Sequence, residues 1–293
     1  MAARILSGNE VAEQIRNELK QKVKELKARK GVTPGLAVVL VGENPASVSY
    51  VTSKAKGAAE VGIFEETFRL PANVSENEVL ALVDKLNKDP QFHGILVQLP
   101  LPKQIDESKV LNVILPKKDV DGFHPVNVGK LLIGEPDFIP CTPYGVQQIL
   151  VRSGYDPAGK HVVICGRSNL VGKPLMAILV QKRPGANSTV TVCHTGTKNL
   201  REITRQADIL VVAMGAPKAI TADMVREGTV VIDVGVNRVD DPTKKSGFRL
   251  VGDTDFDAIK EKAAAITPVP GGVGPMTVTM LLANTVTAAE RYG

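Results

Sequence analysis

Tryptophan is absent from this 293-residue sequence, and aromatic residues make up only 4% of it. So few aromatic side chains offer little surface for base stacking, and the basic residues are scattered, so we expect no nucleic-acid partner. Long apolar runs are also absent: residues 36–41 and 209–214, among the longest, are far too short to span a bilayer. The amino terminus lacks a secretory leader, and we predict a cytoplasmic protein with no membrane partner.

Cysteine is scarce. The three cysteines, Cys141, Cys165 and Cys193, are widely spaced and do not make a disulfide framework or a thiolate metal site. The four histidines show no metal-ligand spacing either, so we expect no bound metal. The formal net charge of +5 is consistent with a small anionic substrate or cofactor.

The sequence alternates strand-type and helix-type segments, which predicts an α/β fold with parallel sheets. The length favours two domains. We predict a catalytic domain over residues 1–139, joined by a C-terminal helix over residues 276–293, and a Rossmann-like domain over residues 140–275. Residues 116–143, rich in Pro, Gly and Asp, are predicted to connect the domains and to line a cleft between them. The predicted strands cover residues 35–41, 66–70, 94–99, 160–165, 189–193, 209–213, 229–234 and 265–269.

A glycine turn follows the predicted strand at residues 160–165 and opens a predicted helix. A strand, a glycine turn and a helix amino terminus are the parts of a phosphate cradle, because the backbone can approach a pyrophosphate there. The turn departs from the usual GxGxxG spacing, since Ser168 replaces the middle glycine. The strand–helix repeats that follow favour a dinucleotide site over a purely structural turn. The turn reads Gly166-Arg167-Ser168-Asn169-Leu170-Val171-Gly172.

The next predicted strand, at residues 189–193, indicates which dinucleotide binds. NAD-binding domains place an acidic residue at the end of this strand, where it accepts from the ribose 2′-hydroxyl. Here no acid follows, and Arg167, Ser168 and Thr195 can meet a 2′-phosphate instead. We therefore predict NADP, and NAD with a surface Arg167 is the alternative.

A tyrosine and a lysine, Tyr50 and Lys54, lie four residues apart on a helix that Pro45 opens. They share one face of that helix. The strand at residues 94–99 carries a polar residue, Gln98, to the same end of the sheet, where α/β proteins bind ligands. These residues form a candidate site, although such a pair is also typical of an ordinary amphipathic surface. The core stripe of the helix is predicted to be Val48, Val51, Ala55 and Ala59.

Two loops complete the candidate site. Asp119 and Asp121 precede Gly122 in the predicted connection, a pattern that also occurs in ordinary turns. Residues 270–276 combine three glycines and two prolines between a strand and a helix. Such a rigid loop exposes amides and can close over a flat ligand.

Six segments together resemble the bifunctional methylenetetrahydrofolate dehydrogenase/methenyltetrahydrofolate cyclohydrolase family. They occur in the same order as in that family and extend through the whole chain. They are residues 48–54 (VSYVTSK), 97–102 (VQLPLP), 117–123 (KKDVDGF), 140–143 (PCTP), 166–174 (GRSNLVGKP) and 267–277 (TPVPGGVGPMT).

This resemblance implies NADP-dependent oxidation of 5,10-methylenetetrahydrofolate, followed by hydrolysis of the methenyl product to 10-formyltetrahydrofolate. It implies that Lys54, with a lowered pKa, is the main catalytic residue of the hydrolysis and that Gln98 holds it. Tyr50 would stack on the aminobenzoyl ring, and Asp121 would bind the pterin edge. Further substrate contacts would be Val97, Leu99, Pro270, Gly271, Gly272 and Gly274, and cofactor contacts would be Gly166, Arg167, Ser168, Thr195 and Val236.

Two alternatives to this function remain. An NADP enzyme of similar architecture, such as a shikimate-type alcohol dehydrogenase, needs no hydrolytic lysine. A non-catalytic dinucleotide-binding regulator needs neither activity. The resemblance also implies a homodimer through the cofactor domain, and the absence of a GxxxxGK[ST] motif predicts no formyl-ligase activity.

Overall fold

The computed structural model describes residues 2–244 and 247–293, and the chain divides into two compact units. We call them the catalytic unit, residues 13–141 and 278–293, and the nucleotide unit, the residues up to 12 together with 142–277.

The amino-terminal residues lie in a different unit from the one that the sequence predicts. Residues up to 12 were predicted to join the first domain, yet they belong to the nucleotide unit. Strand pairing explains this placement, because Arg4–Ile5 lies parallel to Ala265–Ile266 in the sheet of that unit. So short a strand has too few residues to show any periodicity.

The described residues form eleven strands and ten α-helices. No helix among them is long and apolar enough to cross a membrane. The strands are β1 (Arg4–Ile5), β2 (Gly35–Val41), β3 (Phe64–Leu70), β4 (Gly94–Val97), β5 (His161–Cys165), β6 (Thr189–Cys193), β7 (Ile209–Val212), β8 (Val230–Asp233), β9 (Asn237–Asp240), β10 (Phe248–Val251) and β11 (Ala265–Ile266). The helices are α1 (Gly8–Lys30), α2 (Pro45–Val61), α3 (Glu76–Lys88), α4 (Glu107–Val113), α5 (Pro125–Leu132), α6 (Cys141–Arg152), α7 (Gly172–Leu179), α8 (Leu200–Thr204), α9 (Phe256–Ile259) and α10 (Val273–Tyr292).

The catalytic unit is built on a parallel three-stranded sheet ordered β3-β2-β4. Every residue of the central strand β2 is apolar and buried, as a parallel strand covered on both faces requires. The chain runs from β2 through α2 to β3 on one side, and then through α3 to β4 on the other side of β2. The carboxyl ends of β2 and β4 therefore form a topological switch point, the usual place for a ligand in such sheets.

Helix α2 starts at Pro45, as the sequence predicts, and Asn44 caps it. Its predicted core stripe is confirmed only at Val51, since Val48 and Ala55 are only half-buried and Ala59 is exposed. Small residues occur all round this helix, so its apolar periodicity is weak. The buried face is made instead by Ser47, Val51, Lys54, Gly57, Ala58 and Val61.

The nucleotide unit contains a six-stranded sheet ordered β1-β11-β8-β7-β5-β6. All of its pairings are parallel, and β5, β7 and β8 are almost wholly buried. The chain leaves β5 through α7 to β6 on one side and returns through α8 to β7 on the other. A second switch point therefore lies at the carboxyl ends of β5 and β7. This doubly wound arrangement confirms the Rossmann-like fold that was predicted for this part of the chain.

Several short elements differ from the sequence predictions. The predicted irregular connection at residues 116–143 contains α5 and the 3₁₀ turn Pro116–Lys118. A 3₁₀ turn, Ala222–Met224, lies between β7 and β8, and the antiparallel hairpin of β9 and β10 was not predicted. Elements of three to eight residues offer one or two turns of periodicity at most, which is too little to distinguish them from loops.

Candidate active site

Lys54 and Gln98 meet at the switch point of the three-stranded sheet. Gln98 directly follows β4, and its backbone amide donates to Val39 O at 2.9 Å, so strand pairing fixes its position. The Lys54 Nζ on α2 donates to Gln98 Oε1 at 2.7 Å. The Gln98 Nε2 donates in turn to Leu99 O at 2.6 Å, which orients the amide. The structure thus brings together the lysine and the polar strand-end residue that the sequence placed at this edge.

Burial lowers the pKa of Lys54, because only 7% of the residue is exposed and desolvation disfavours the ammonium. Electrostatic interaction with Asp121, and to a smaller extent with Cys141, acts in the opposite direction and raises that pKa, but less strongly than burial lowers it. More of the amine is therefore neutral at a given pH than in an exposed lysine. A neutral amine accepts a proton and an ammonium donates one, so Lys54 is suited to general acid–base chemistry.

Asp121 lies in the loop before α5 and is half-buried. Burial raises the pKa of its carboxyl group, Asp119 adds to the rise, and Lys54 and a hydrogen bond with Cys141 oppose it. Burial also raises the pKa of the Cys141 thiol well above its usual value, so Cys141 stays a neutral thiol. Lys54, Asp121 and Cys141 therefore form one group of interacting ionisable side chains in the catalytic unit.

The other predicted substrate residues of this unit differ in exposure. Tyr50 lies one turn before Lys54 on α2 and is 40% exposed, so its ring is accessible for stacking. Leu99 is half-buried and is followed by a cis peptide bond to Pro100. Val97 is only 3% exposed and its side chain belongs to the hydrophobic core, so only its backbone can contact a ligand.

In the nucleotide unit, the turn between β5 and α7 requires glycine at two positions. Gly166 has a φ of 135°, and a Cβ there would lie 2.3 Å from Ala213 O. A Cβ on Gly172 would lie 2.0 Å from Gly166 O. The end of β5, the start of α7 and the segment after β7 therefore approach each other closely at the second switch point. This backbone geometry fits the pyrophosphate of a dinucleotide.

The other residues predicted to contact NADP are accessible around this turn. Arg167 and Ser168 are exposed on the turn, Thr195 is exposed just after β6, and Val236 is 47% exposed after β8. Ser168 Oγ accepts from Val171 N at 3.1 Å, which leaves its hydroxyl proton available for a ligand. In the described part of the chain Arg167 forms no ion pair, so its guanidinium is available to a phosphate.

Sequence reasoning missed two buried carboxylates, Asp233 and Asp253, which shape the loops of this unit. Asp253 accepts from three consecutive amides after β7, residues 214–216, at 2.6–2.9 Å and from Asn237 Nδ2 at 2.8 Å. Asp233 accepts from Gly235 N at 2.9 Å and from the amide and hydroxyl of Thr254 at 2.8 and 2.6 Å. Burial raises the pKa of Asp233, and its hydrogen bonds oppose the rise. An acid that ends a buried apolar strand needs several donors, and that signal could have identified Asp233.

The glycine- and proline-rich loop before α10 is fixed by close backbone contacts. Gly271 O accepts from Asn9 N at 3.2 Å, and a Cβ on Gly272 would lie 2.4 Å from Pro268 O. A cis peptide bond joins Val269 to Pro270. Helix α10 begins at Val273 rather than at residue 276 as predicted, so Gly274 lies in its first turn.

Comparison with known proteins decides the family. Residues 6–121 match the model of the tetrahydrofolate dehydrogenase/cyclohydrolase catalytic domain, and residues 140–293 match that of the NAD(P)-binding domain of the same enzymes. The chain belongs to this family. A relative in Dehalococcoides mccartyi strain CBDB1, named bifunctional protein FolD, is 62% identical over 291 residues, which cover 99% of this chain and 98% of that protein.

Solved structures agree with this assignment. The methylenetetrahydrofolate dehydrogenase-cyclohydrolase (FolD) of Trypanosoma brucei, determined with NADP cofactor and inhibitor, is 42% identical and has a TM-score of 0.93 over 99% of this chain and 98% of that one. A shikimate 5-dehydrogenase from Thermus thermophilus is only 13% identical, with a TM-score of 0.52 over 88% of this chain and 98% of that one. This second likeness shows a shared fold alone. No group of three or more metal-ligating side chains occurs within residues 2–244 and 247–293.

Proposed function

We propose that this chain oxidises 5,10-methylenetetrahydrofolate with NADP and hydrolyses the 5,10-methenyl product to 10-formyltetrahydrofolate. The observation that carries the proposal is the partly buried hydrogen bond of 2.7 Å between Lys54 Nζ and Gln98 Oε1. It lies at a ligand-binding switch point in the unit that matches the folate-family catalytic domain. Family membership and the glycine-containing turn of the nucleotide unit support the oxidation with NADP.

Lys54 carries the proton transfers of the hydrolytic step. Water adds to the bridging methenyl carbon, a carbon–oxygen bond forms, and the bond from that carbon to N5 breaks. One proton of the water ends on N5 and the other leaves to solvent. The neutral amine of Lys54, favoured by burial, accepts a proton from the attacking water, and the resulting ammonium returns one to N5. Gln98 holds Nζ in place for both transfers.

Tyr50 and Asp121 position the folate. The exposed ring of Tyr50 stacks on the aminobenzoyl group, and the carboxyl group of Asp121 binds the N–H donors of the pterin edge. The backbone of residues 97–99 supplies further contacts from the same unit. These interactions serve both reactions, because the same folate carbon loses hydride first and gains oxygen second.

The nucleotide unit holds NADP, which when bound supplies the hydride acceptor. Gly166 lets the backbone approach the pyrophosphate, and the amides at the start of α7 face its charge. Arg167 and Ser168, with Thr195, contact the 2′-phosphate that distinguishes NADP from NAD, and Val236 packs against the cofactor.

A paired spectrophotometric assay tests the proposal. Methylenetetrahydrofolate is supplied first with NADP and then with NAD, and the absorbances of the reduced cofactor and of methenyltetrahydrofolate are followed together. We expect reduced NADP to accumulate while methenyltetrahydrofolate stays low because it is hydrolysed. No change in cofactor absorbance with either dinucleotide would reject the enzymatic function and favour a dinucleotide-binding regulator.

We also propose that the chain acts in the cytoplasm as a homodimer formed through its nucleotide unit. The family resemblance supports this proposal. Light scattering of the purified protein during gel filtration should give twice the mass of 31.2 kDa, and cell fractionation should recover the enzyme with the cytoplasmic proteins. A single-chain mass at micromolar concentration would contradict the dimer.

A further inference from the structure

Two aspartates, Asp119 and Asp121, lie two residues apart in one loop but have very different surroundings. Asp119 is only 2% exposed, whereas Asp121 is half-buried. The Asp119 carboxylate accepts four hydrogen bonds. They come from the backbone amides of Gly122, Phe123 and His124 at 3.2, 3.3 and 2.8 Å and from Asn127 Nδ2 at 2.8 Å. A carboxylate that accepts this many donors has little capacity left for a ligand.

The backbone around Asp119 is also tied to the rest of the catalytic unit. Asp119 forms an isolated parallel bridge with Ile95, so the loop starts as an extension of the sheet beside β4. From α10, Asn284 Nδ2 donates to Val120 O at 2.8 Å and to Ile139 O at 2.9 Å. The chain is therefore held before and after Asp121.

These hydrogen bonds and the bridge to Ile95 fix the position of Asp121. Its side chain interacts electrostatically with Lys54, with Cys141 and with Asp119. Lys54 interacts electrostatically with Asp121 and Cys141, and its Nζ donates to Gln98 Oε1. If residues 119–124 lost their shape, Asp121 would leave this group while Lys54 and Gln98 stayed on α2 and β4.

We propose that Asp119 is the positioning residue of this site: its buried carboxylate shapes the loop so that Asp121 faces Lys54. Asp119 itself does not contact the substrate. The inference rests on the proposed function, which gives the folate contact to Asp121 and the proton transfers to Lys54. Asp119 therefore shapes the loop, and Asp121 binds the substrate.

The test compares Asp119→Asn with Asp121→Ala in the full-length enzyme. Loss of a charged hydrogen-bond partner of the substrate corresponds to about a 10- to 100-fold change in binding. We expect both variants to raise the KM for methylenetetrahydrofolate by about this factor. Binding of NADP, measured by fluorescence titration, should stay unchanged. Cyclohydrolase activity should rise with pH as the Lys54 amine loses its proton, and we call this rise the pH limb. In both variants the pH limb should move to lower pH, because Asp121 no longer raises the pKa of the amine.

Val110→Ala is the matched control, since Val110 is fully buried in the same unit but outside the loop. It should lower the melting temperature and leave the KM and the pH limb unchanged. If it shifts them as much as Asp119→Asn does, the effect of Asp119 is general loosening and the inference is overturned.

Two further outcomes separate this inference from the proposed function. A normal KM and pH limb in Asp119→Asn, together with altered values in Asp121→Ala, overturns the positioning role alone. Normal values in Asp121→Ala overturn the substrate role of Asp121 instead. If Asp119→Asn does not fold, Asn127→Ala keeps the carboxylate and removes one of its donors. Asn127→Ala should shift the KM and the pH limb in the same direction as Asp119→Asn, but by a smaller amount. Wild-type values of both quantities would overturn the inference.

Discussion

Replacing Lys54 by methionine tests the proton-transfer chemistry directly. Methionine keeps an unbranched side chain that fits the buried face of α2, but it has no amine. General acid–base catalysis contributes about 10²- to 10⁴-fold, or about 3–5 kcal/mol of activation free energy. We expect cyclohydrolase kcat to fall by that factor. Dehydrogenase activity should keep at least about a tenth of its rate, because hydride transfer needs position rather than a base at this site.

The pH dependence provides the second measurement on this variant. Burial lowers the pKa of Lys54, so in the parent enzyme the neutral amine becomes available below the pH at which an exposed lysine deprotonates. Cyclohydrolase activity should therefore rise with pH through that lowered pKa and level off above it. In Lys54→Met this rise should disappear.

Lys56→Met is the matched control, because Lys56 lies on the same helix but is exposed. It should leave both activities and the pH profile unchanged. A Lys54→Met enzyme that retains cyclohydrolase activity within about threefold of the parent, at normal folate affinity, would refute the proposed role of the amine.

Three further substitutions address the nucleotide unit. Arg167→Gln should raise the KM for NADP by about 10- to 100-fold and leave that for NAD unchanged, because only NADP offers a 2′-phosphate; steady-state assays with both cofactors measure this. Gly172→Ala should weaken NADP binding at least about tenfold in calorimetric titration, because the new Cβ would lie 2.0 Å from Gly166 O; equal affinity would show that the turn has room. Asp253→Asn should cost about 1–3 kcal/mol of unfolding free energy and weaken NADP binding, because the amide cannot accept all the donors that the carboxylate accepts; chemical denaturation and titration measure the two effects.

The sheets could be predicted because buried parallel strands appear as continuous apolar runs. Residues 35–41, a buried apolar run, were predicted with the bounds that the structure has, and so were residues 189–193, a partly exposed edge strand in which threonine and valine alternate. Strand β1 escaped prediction because two residues carry no periodicity and its partner β11 lies at the far end of the sequence. The exposed hairpin of β9 and β10 has alternating burial only in part, and its charged residues favoured a loop.

The site was harder to predict than the sheets. Lys54 was placed away from the core stripe, yet it belongs to the buried face of α2. A hydrophobicity pattern cannot assign a lysine to a core. A conflict of this kind between the sequence pattern and the observed burial is typical of functional sites. The Lys54–Gln98 pair could be anticipated, because a polar residue at the end of a buried strand needs a partner. The anchoring role of Asp119 could not, because it depends on three amides whose direction only the folded loop defines.

The order in which the polypeptide contributes segments to the two units limits how the protein can be divided or fused. The polypeptide passes from one unit to the other three times, after residues 12, 141 and 277. A single break near residue 140 would leave β1 on one fragment and β11, the strand beside it, on the other. The nucleotide unit is therefore not one continuous segment, and a gene fusion that preserves it must carry the residues up to 12 as well as residues 142–277.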